Sequence, residues 1–574
     1  MSNAFDKASL VMLPHAYEEG KLYSLKPTDR SGDFTFSRGT DTATRVGEDG
    51  YIKKEIVNLL EQSNTFSDAV WTKSSTSVIG GQAGYDGSNN AWNLIPATNS
   101  TNSHRMYLDY SSSGGVFTAS IYAKANGYDF LKINNSSGSV AFDVSTGNPT
   151  SGTIVLESGT PIGTNITRIE NGWYRIDVAK DSPSGNLRIQ FFVQIDAVNT
   201  AYAGDGTSGV LIQDAQLNPG LVAQSYLETT TAPVYGGLTD NMPRLDYTDA
   251  SCPSLLLEPS RTNLITQSEY FGTGWNLIAG TSIQSNADTS PEGVDNATRV
   301  TSVDHNEGLE YRNISVTENT SYTFSWYGKV TSGSQTPKYS IRDASNNAVI
   351  DLGDWPVISN TEYKRQEISF TTPAGCTSLW VRVSFYSGAA VDYYIYGAQI
   401  EQGSYPTSYI PTYGSTQTRD EDNCHLINGA SLPTTYPFTL YAEVPVVNGI
   451  AVDVVAFSNT LRNDEYYSLG YYNNRFSFAL RPNRTLTEIV SSSIYGSGTH
   501  KVAVVVTDSS AELFVNGTSQ AVTSTIDTFN SLINDVLIGQ LRILQDLNRR
   551  NSVNQALVFP TALSYAECIA LTQN

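Results

Sequence analysis

The chain has 574 residues and a formal net charge of −21, and charged residues make up only 16% of it. This composition excludes a nucleic-acid binder, because there is no basic stripe to replace the counterions of a phosphate backbone. The 34 tyrosines and the abundant Gly, Ser, Thr and Asn indicate surfaces solvated by hydroxyl and amide groups, as on the exposed faces of β-sandwiches. We therefore expect an all-β chain.

The sequence predicts a protein that is made in a cytoplasm and is not inserted in a membrane. The N-terminus lacks the apolar h-region of a secretory signal, and no apolar run approaches the roughly 20 residues that span a bilayer. The cysteines lie far apart and lack CxxC or CxxH spacing, so we expect free, buried thiols. They are Cys252, Cys376, Cys424 and Cys568.

Residues 1–55 form a short N-terminal segment with its own character. The segment is too small and too rich in Gly and Asp to hold a core of its own. We therefore expect it to dock on the neighbouring module or on another subunit, and we interpret it as an anchor to partner proteins.

The next part of the chain contains one module twice, as residues 56–232 and 259–412. Residues 58–66 (NLLEQSNTF) recur as 263–271 (NLITQSEYF), and the second copy is about twenty residues shorter. Alternating apolar and polar residues between Gly/Asn/Ser turns predict a two-sheet sandwich for each copy. Trp71 and Trp275 take equivalent places in the two copies, which favours core anchors over sugar platforms. Residues 233–258 link the copies.

Residues 413–574 form an unrepeated domain. We predict a hairpin turn at Asn473 and Asn474, and a type I′ turn at Asn516-Gly517. The chain closes on a short helix, for which Ser564 and Glu567 predict a capping box.

The C-terminal domain resembles the concanavalin A-like (laminin G-like) sandwich. The resemblance is carried by residues 500–504 (HKVAV), 512–517 (ELFVNG) and 556–567 (ALVFPTALSYAE). It implies a lectin-type jelly roll. The two repeats are similar to carbohydrate-binding-module jelly rolls, so the expected fold is a tandem of jelly-roll β-sandwiches with a short N-terminal docking segment.

A second set of motifs resembles a family of bacteriophage virion proteins, described as tail-fibre, head-fibre or other structural proteins. The motifs are 36–39 (FSRG), 43–46 (ATRV), 243–247 (PRLDY), 255–264 (LLLEPSRTNL), 397–401 (GAQIE) and 407–411 (TSYIP). In that family the ATRV segment runs fairly directly into the PRLDY segment. The first repeat therefore resembles an insertion, and we expect the two segments to meet in space.

Glycoside hydrolysis requires two carboxylates about 5–9 Å apart, commonly on one strand face. Asp464 and Glu465 are adjacent and would point to opposite faces of a strand, whereas Asp420 and Asp422 fall in a predicted linker. There is no Gly-x-Ser-x-Gly nucleophile elbow and no phosphate loop of the Gly-x-x-x-x-Gly-Lys type. The sequence therefore predicts a protein without catalytic activity.

Glycan binding requires an aromatic platform beside amide or carboxylate groups. One group of tyrosines flanks two asparagines and supplies both, although one ring of each tyrosine pair is expected to face the core. These candidate residues are Tyr466, Tyr467, Tyr471, Tyr472, Asn473 and Asn474. The loop residues Asp86 and Asp304 are candidate calcium ligands.

Together these features predict a phage virion appendage, a head or tail fibre, that attaches to host-surface or environmental glycans. Weak sites on several copies of a homo-oligomer would gain avidity from their number. Two alternatives stay open. One is a purely structural capsid-decoration or tail protein, and the other is a polysaccharide depolymerase.

Overall fold

The computed structural model describes residues 2–135, 138–146, 148–154, 161–197, 199, 201–248, 251–278, 280–302, 307–385, 390–427, 429, 432–433, 435–458, 466–481, 486–524, 526, 535–538 and 551–573. Nearly all regular structure in these ranges is β-strand, which confirms the all-β prediction. The two α-helices are short, α1 (Ser2–Lys7) and α2 (Tyr565–Thr572). Within the described ranges, no helix has the length and apolar character needed to cross a membrane.

The strands fall into groups that follow the repeats. Up to the start of the first repeat they are β1 (Leu10–Met12), β2 (Tyr17–Glu18), β3 (Lys21–Leu22), β4 (Phe34–Ser37), β5 (Arg45–Val46), β6 (Ile52–Lys53) and β7 (Glu55–Asn58). The first repeat contains β8 (Thr72–Ser74), β9 (Thr76–Gln82), β10 (Ala91–Pro96), β11 (Arg105–Ser112), β12 (Gly115–Asn126), β13 (Phe130–Asn135), β14 (Gly138–Asp143), β15 (Asn148–Ile154), β16 (Gly163–Arg168), β17 (Tyr174–Ser182), β18 (Gly185–Gln194) and β19 (Gly209–Pro219). Between the repeats lie β20 (Val234–Gly237), β21 (Leu245–Asp246), β22 (Ser254–Leu257) and β23 (Arg261–Asn263).

The second repeat contains β24 (Trp275–Leu277), β25 (Ser282–Asp288), β26 (Ala297–Thr301), β27 (Gly308–Ser315), β28 (Ser321–Val330), β29 (Ser334–Gln335), β30 (Pro337–Asp343), β31 (Ala348–Asp354), β32 (Ile358–Ser359), β33 (Lys364–Thr371), β34 (Ser378–Phe385) and β35 (Asp392–Gln402). The remaining strands are β36 (Gln417–Arg419), β37 (Asn423–Leu426), β38 (Phe438–Val446), β39 (Val452–Ser458), β40 (Tyr466–Tyr472), β41 (Arg475–Leu480), β42 (Thr487–Val490), β43 (Gly498–Val506), β44 (Ala511–Val515), β45 (Thr518–Thr523), β46 (Asp535–Ile538), β47 (Asn551–Val553) and β48 (Gln555–Phe559).

Each repeat is a sandwich of two sheets with the same strand order. In the first repeat the orders are β16-β17-β12-β19-β10-β9 and β15-β14-β13-β18-β11-β8. In the second they are β33-β28-β35-β26-β25 and β31-β30-β34-β27-β24. The first repeat therefore has one additional strand in each sheet, β16 and β15, which lie in the stretch that the shorter second copy lacks. The prediction of tandem β-sandwiches is confirmed.

Each repeat begins and ends with strands that pair with each other. Strand β7 leads into the first repeat and pairs antiparallel with β20, which leaves it, so that Asn58 lies opposite Val234. Strand β23 leads into the second repeat and pairs antiparallel with β36, so that Arg261 lies opposite Arg419. Both repeats are thus modules inserted into a longer fold through paired entry and exit strands.

That longer fold is the C-terminal sandwich, which draws strands from both ends of the chain. Its sheets have the orders β1-β48-β38-β43-β44-β45 and β2-β3-β4-β37-β46-β39-β40-β41-β42. Leu10 lies opposite Val558, and its side chain shares one apolar core with Phe34, Phe36 and Leu255. Residues 1–55 therefore supply strands and core side chains to the C-terminal sandwich. Their anchoring role stays a prediction.

The two motif segments that flank the first repeat in sequence come together in space. The backbone N–H of Val46 donates to the Asp246 carboxylate at 3.0 Å, and the N–H of Tyr247 donates to the Val46 carbonyl at 3.1 Å. The Arg244 guanidinium donates to the Thr44 carbonyl at 3.2 Å. The chain thus returns, after the first repeat, to the place where it left.

Other motif residues form a buried ion network at this junction. Arg244 donates to Glu258 at 2.7 Å and also to Asp422, while Arg38 contacts Asp422 at 3.2 Å and Arg419 contacts Glu258 at 3.0 Å. All of these side chains are buried. Because an unpaired charge in this position would be very costly, the network fixes which arginine meets which carboxylate.

The two repeats touch each other directly. The N–H of Val116 donates to the Tyr413 carbonyl at 2.8 Å, and the Asn286 amide donates to the Leu221 carbonyl at 3.0 Å. Gly115 has φ of +119°, and a Cβ there would lie 1.6 Å from the Tyr413 carbonyl oxygen. A glycine is required at this contact, because any side chain would force the modules apart.

Several local predictions for the C-terminal domain are confirmed. Asn473 and Asn474 both have positive φ, as have Asn516 and Gly517, in agreement with two-residue hairpin turns. Ser564 and Glu567 form the capping box of α2. The cysteines are free, but Cys252 is exposed, whereas the other three are buried as predicted.

Candidate functional site

The tyrosines predicted as a glycan platform are mostly buried. Tyr467 and Tyr471 belong to the main core of the C-terminal sandwich, and Tyr466, on the opposite face, packs against Ala456 and Leu537. Strand β40 pairs with β39 and β41 along its edges, and its side chains from Tyr466 to Tyr471 are buried on both faces. Tyr472 is half-buried. The four rings therefore do not form a shared exposed surface.

The two asparagines of this prediction serve the turn. Asn473 is exposed, and Asn474 accepts hydrogen bonds through its side-chain oxygen from the Gly449 N–H at 2.9 Å and from the Tyr471 hydroxyl at 3.2 Å. The Tyr471 hydroxyl also donates to the Tyr495 carbonyl at 2.6 Å. These bonds join the hairpin to its neighbours, and Asn473 is the one exposed member of the predicted set.

The other predicted sites are placed as follows. Asp86 accepts hydrogen bonds from Ser88, which lower the pKa of its carboxyl group. Asp304, Asp464 and Glu465 lie outside the described residues. Among the residues that are described, no cluster of three or more His, Cys, Asp or Glu side chains could hold a metal ion. Trp71 and Trp275 are buried, 1% and 6% exposed, as expected of core anchors.

A cleft of about 620 Å³ lies on the outer face of one sheet of the second repeat. Strands β28 and β33 form its floor, where Tyr327 lies opposite Arg365 in the antiparallel register. The Arg365 guanidinium lies 5.5 Å from the centre of the Tyr327 ring and donates to the Ser325 hydroxyl at 3.0 Å. The floor thus presents an aromatic ring with a planar cation fixed beside it.

A second aromatic and cationic pair lines the same cleft. Lys329 lies 4.8 Å from the centre of the Tyr363 ring and forms an ion pair with Asp288. The Tyr363 hydroxyl donates to the Asp288 carboxylate at 2.8 Å. Burial and the nearby Asp288 charge raise the pKa of Tyr363, so this hydroxyl stays a hydrogen-bond donor at neutral pH.

One wall of the cleft comes from the N-terminal segment. The N–H of Ile52 donates to the Pro291 carbonyl at 2.8 Å, and the Thr44 hydroxyl donates to the Tyr409 carbonyl at 2.5 Å. The Tyr51 ring is 43% exposed and lies against Gly293, where a Cβ would be 2.8 Å from the ring. The cleft is therefore complete only when residues 44–53 are seated on the second repeat.

A buried charge cluster holds that wall in place. The Lys54 ammonium lies 2.8 Å from Glu292, 3.2 Å from Glu269 and 2.7 Å from the Tyr413 hydroxyl. Burial by itself lowers the pKa of Lys54, but the two carboxylates raise it above its ordinary value. Burial also raises the pKa of Glu269, which Lys54 opposes. The cluster fixes the end of the 44–53 segment next to the cleft floor.

The first repeat shows what occupies the equivalent place. Tyr122 corresponds to Tyr327, and Arg175, at 5.4 Å from the centre of its ring, corresponds to Arg365. There the ring of Tyr85 is stacked on Tyr122, with ring centres 3.8 Å apart and planes 7° apart. A ring from the chain itself therefore covers the aromatic floor of the first repeat.

The residue that corresponds to Tyr85 in the second repeat is Pro291. Both belong to eight-residue turns, 83–90 and 289–296, that are closed by the same bond, Gly84 N–H to the Ser88 carbonyl at 2.8 Å and Ser290 N–H to the Val294 carbonyl at 2.9 Å. Pro291 lines the cleft beside Tyr327. The second repeat therefore has no aromatic ring at the place of Tyr85, and the half-buried Tyr327 ring packs instead against a cluster that contains Ile52.

This arrangement suits a flat ligand that has both apolar and hydroxyl-bearing faces. Tyrosine rings offer a surface for stacking, while guanidinium and ammonium groups donate hydrogen bonds to hydroxyl oxygens. The exposed carboxylates of Glu362 and Glu367 at the rim can accept bonds from hydroxyl groups. The sequence analysis does not predict this site. Its signal is the equivalence of residues 120–124 (SIYAK) and 325–329 (SWYGK) in the two repeats, which places Tyr122 and Tyr327 at corresponding positions.

Comparisons with known proteins give likenesses of limited extent. No protein-family model matches the chain, and no curated protein matches it. Among solved structures, the CBM40 of Ruminococcus gnavus IT-sialidase bound to α2,3-sialyllactose is 17% identical, with a TM-score of 0.23, over 25% of this chain and 84% of that chain. The botulinum neurotoxin serotype G binding domain is 14% identical, with a TM-score of 0.22, over 26% of this chain and 39% of that chain. The CBM22-1 xylan-binding domain of Paenibacillus barcinonensis Xyn10C is 14% identical, with a TM-score of 0.21, over 26% of this chain and 94% of that chain.

Proposed function

We propose that this chain is a non-enzymatic attachment protein that binds glycans in the cleft of its second repeat, as an appendage of a phage virion. One observation carries the glycan part of the proposal. The Tyr327 ring, with Arg365 fixed beside it, lines a cleft of about 620 Å³, whereas Tyr85 is stacked on the equivalent Tyr122 in the first repeat. A pyranose ring has the size and the flat apolar face that stacking on tyrosine requires.

The surroundings of the cleft favour binding over hydrolysis. A glycosidase needs one carboxylic acid held in an apolar site as proton donor, beside a second carboxylate. Glu362 and Glu367 are exposed at the rim of the cleft. The buried Asp246 carboxylate in the lining accepts hydrogen bonds from the backbone N–H groups of Val46 and Thr248, both at 3.0 Å, and such donors favour the ionised form of a carboxyl group. The cleft is thus equipped to hold hydroxyl groups, and its carboxylates lack the surroundings of a proton donor.

The virion part of the proposal rests on the motif resemblance. The residues that carry it include Arg38, Arg244 and Glu258, which belong to the buried ion network together with Asp422. Such a network keeps the modules in one arrangement, which suits a particle appendage that carries several copies of a weak site. The ion network supports the purely structural alternative equally well. That alternative differs from our proposal only in that no glycan binds in the cleft.

A glycan array with the full-length chain tests the glycan part. The full chain is required because residues 413–574 share their core with Leu10, Phe34 and Phe36. We expect Tyr327→Ala and Arg365→Ala to lower affinity about tenfold or more, as loss of a central aromatic or arginine anchor does. The matched control is Tyr122→Ala, which changes the same residue type where Tyr85 already covers it.

Three results would contradict this proposal. Silence on the array favours the purely structural alternative. Equal losses of glycan affinity in Tyr122→Ala and Tyr327→Ala would show that the cleft is not the binding site. Release of reducing ends from a bound polysaccharide would indicate a depolymerase. For the virion part, electron microscopy with antibodies against this chain should label purified particles at a fixed position, and unlabelled particles would overturn it.

A further inference from the structure

The second sheet of the second repeat presents a surface of a different kind. It is formed by β27, β34, β30 and β31 and belongs to the sheet opposite the one that carries the cleft. We refer to the exposed and half-buried side chains on its outer side as the Trp380 face. They are Arg312, Lys338, Arg342, Leu352, Trp380 and Arg382.

Trp380 lies at the centre of this face between two arginines. Arg342 is its cross-strand partner in the register of β30 and β34, with the guanidinium centre 5.1 Å from the Trp380 ring centre. Arg382 lies two residues along β34, on the same side, at 5.3 Å from that ring. Leu352 on the edge strand is 63% exposed and adds an apolar surface. An indole between two guanidinium groups can bind a ligand that has both an apolar side and an anionic group.

The charges of the Trp380 face are unequally paired. Buried Glu310 accepts hydrogen bonds from Arg382 at 2.9 Å and from Arg312, and Lys338 forms an ion pair with Asp354. Four cations therefore face two paired carboxylates. Among the described residues no carboxylate forms an ion pair with Arg342, whose half-buried side chain lies beside Trp380. In a chain of net charge −21, this face offers a guanidinium that is free to receive an anion.

We infer that the Trp380 face binds acidic saccharides, with a carboxylate or sulfate group on Arg342 and the apolar side of a sugar ring on Trp380. Guanidinium groups bind such anions in a bidentate manner, which gives strength and direction. The inference rests on the proposed attachment function in that the ligand is a saccharide, but it uses a separate surface. A chain this acidic would repel a polyanion as dense as nucleic acid, whereas a saccharide with one charge per few sugars suits a face on which four cations meet only two carboxylates.

The first repeat lacks this surface at the equivalent strands. Strand β18 corresponds to β34 and has Arg188 at the place of Trp380, where Arg188 is already paired with Asp109 at 2.7 Å. Gln190, at the place of Arg382, and the neighbouring Lys132 are buried. The anion-binding combination of an indole and an unpaired arginine is therefore specific to the second repeat.

The test compares acidic glycans with their carboxyl-reduced or desulfated counterparts on the full-length chain. We expect the wild type to favour the acidic members, and the preference to weaken as salt is raised from about 0.05 to 0.5 M. Arg342→Ala and Trp380→Ala should each lower the affinity about tenfold or more, because a hydrogen-bonded charge contact or an aromatic anchor is lost. Arg342→Lys should restore part of the binding. Arg188→Ala is the matched control and should bind as the wild type does.

The outcomes separate this inference from the proposed function. Loss of acidic binding in Arg342→Ala with retention in Tyr327→Ala supports the Trp380 face. Loss in Tyr327→Ala with retention in Arg342→Ala overturns the Trp380 face and leaves the cleft standing. An array on which no acidic glycan is bound better than its neutral counterpart also overturns it, even where neutral glycans bind. Thermal unfolding of each variant checks that the losses do not come from misfolding.

Discussion

Asn58 and Asn263, 205 positions apart, make the same four hydrogen bonds in the two repeats. The amide of Asn58 donates to the Ala215 and Leu227 carbonyls at 3.0 and 2.8 Å, and that of Asn263 donates to the Ala398 and Ile410 carbonyls at 3.1 and 2.9 Å. Each side-chain oxygen accepts two backbone N–H groups, from residues 60 and 217 in one repeat and from residues 265 and 400 in the other. One buried side chain thus joins the entry strand, the last long strand and the closing segment of each module.

Asn58→Ala and Asn263→Ala should both destabilise the chain strongly. Each change leaves four buried backbone groups without a partner, and we expect a loss of about 3 kcal/mol in the free energy of unfolding. Denaturant unfolding measures this, with Asn89→Ala in an exposed turn as the control. A loss under about 1 kcal/mol at either site would contradict the structural role of that asparagine.

The ion network predicts a second, larger effect. Asp422 accepts from the Glu258 N–H at 2.9 Å, from Arg38 at 3.2 Å and from Arg244, in full burial. Asp422→Asn keeps the shape but removes the charge, and so leaves buried arginines uncompensated. We expect a loss of about 3–5 kcal/mol.

An exposed ion pair provides the comparison for Asp422. Asp109 meets Arg188 at 2.7 Å, but both side chains are well exposed to solvent. Asp109→Asn should change the free energy of unfolding by under about 1 kcal/mol. Similar changes in the free energy of unfolding for Asp422→Asn and Asp109→Asn would show that the buried network does not depend on the Asp422 charge.

The repeats could be predicted from the sequence because the hydrogen bonds that close each module depend on the identity of particular residues. The asparagine bonds tolerate few replacements, so residues 58–66 and 263–271 stay recognisable. The partner of a strand is different, since any apolar strand of suitable length can pair with another. Nothing in Leu10–Met12 specifies pairing with Gln555–Phe559, at the other end of the chain. The burial of Tyr466 could not be predicted either. An alternating pattern shows which residues share one face of a strand, but it does not show whether both faces of the sheet are covered.

Buried carboxylates predict a pH dependence of stability. Burial raises the pKa of Asp177 to about 7, although Arg175 opposes the shift. The folded state therefore binds this proton more tightly than the unfolded state, whose carboxyl group titrates near its usual value. The stabilisation from this proton is fully present below about pH 4 and is lost as the pH rises through about 7, with a total on the order of 4 kcal/mol.

Asp177→Asn isolates this contribution, since it removes the titrating group and keeps its size. The difference in unfolding free energy between variant and wild type should grow in favour of the variant from pH 4 to pH 7. Asp129→Asn, in an exposed position, is the control and should leave the pH profile unchanged. A difference that does not vary with pH would show that Asp177 is ionised in the folded chain throughout this range.

Tyr85 and Pro291 take equivalent places in corresponding turns of the two repeats, so each can be substituted to imitate the other repeat. Tyr85 is stacked on Tyr122 in the first repeat, whereas Pro291 takes that place in the second repeat and lines the cleft together with Tyr327. Pro291→Tyr should place a ring over Tyr327 and lower glycan affinity about tenfold or more, whereas Tyr85→Ala should uncover Tyr122 beside Arg175. Isothermal titration should then give a correspondingly weaker affinity for Pro291→Tyr and a second, weaker site for Tyr85→Ala. Because the Ile52 N–H bonds to the carbonyl of residue 291, that contact survives the exchange. Undiminished binding by Pro291→Tyr would mean that the glycan lies elsewhere than on Tyr327.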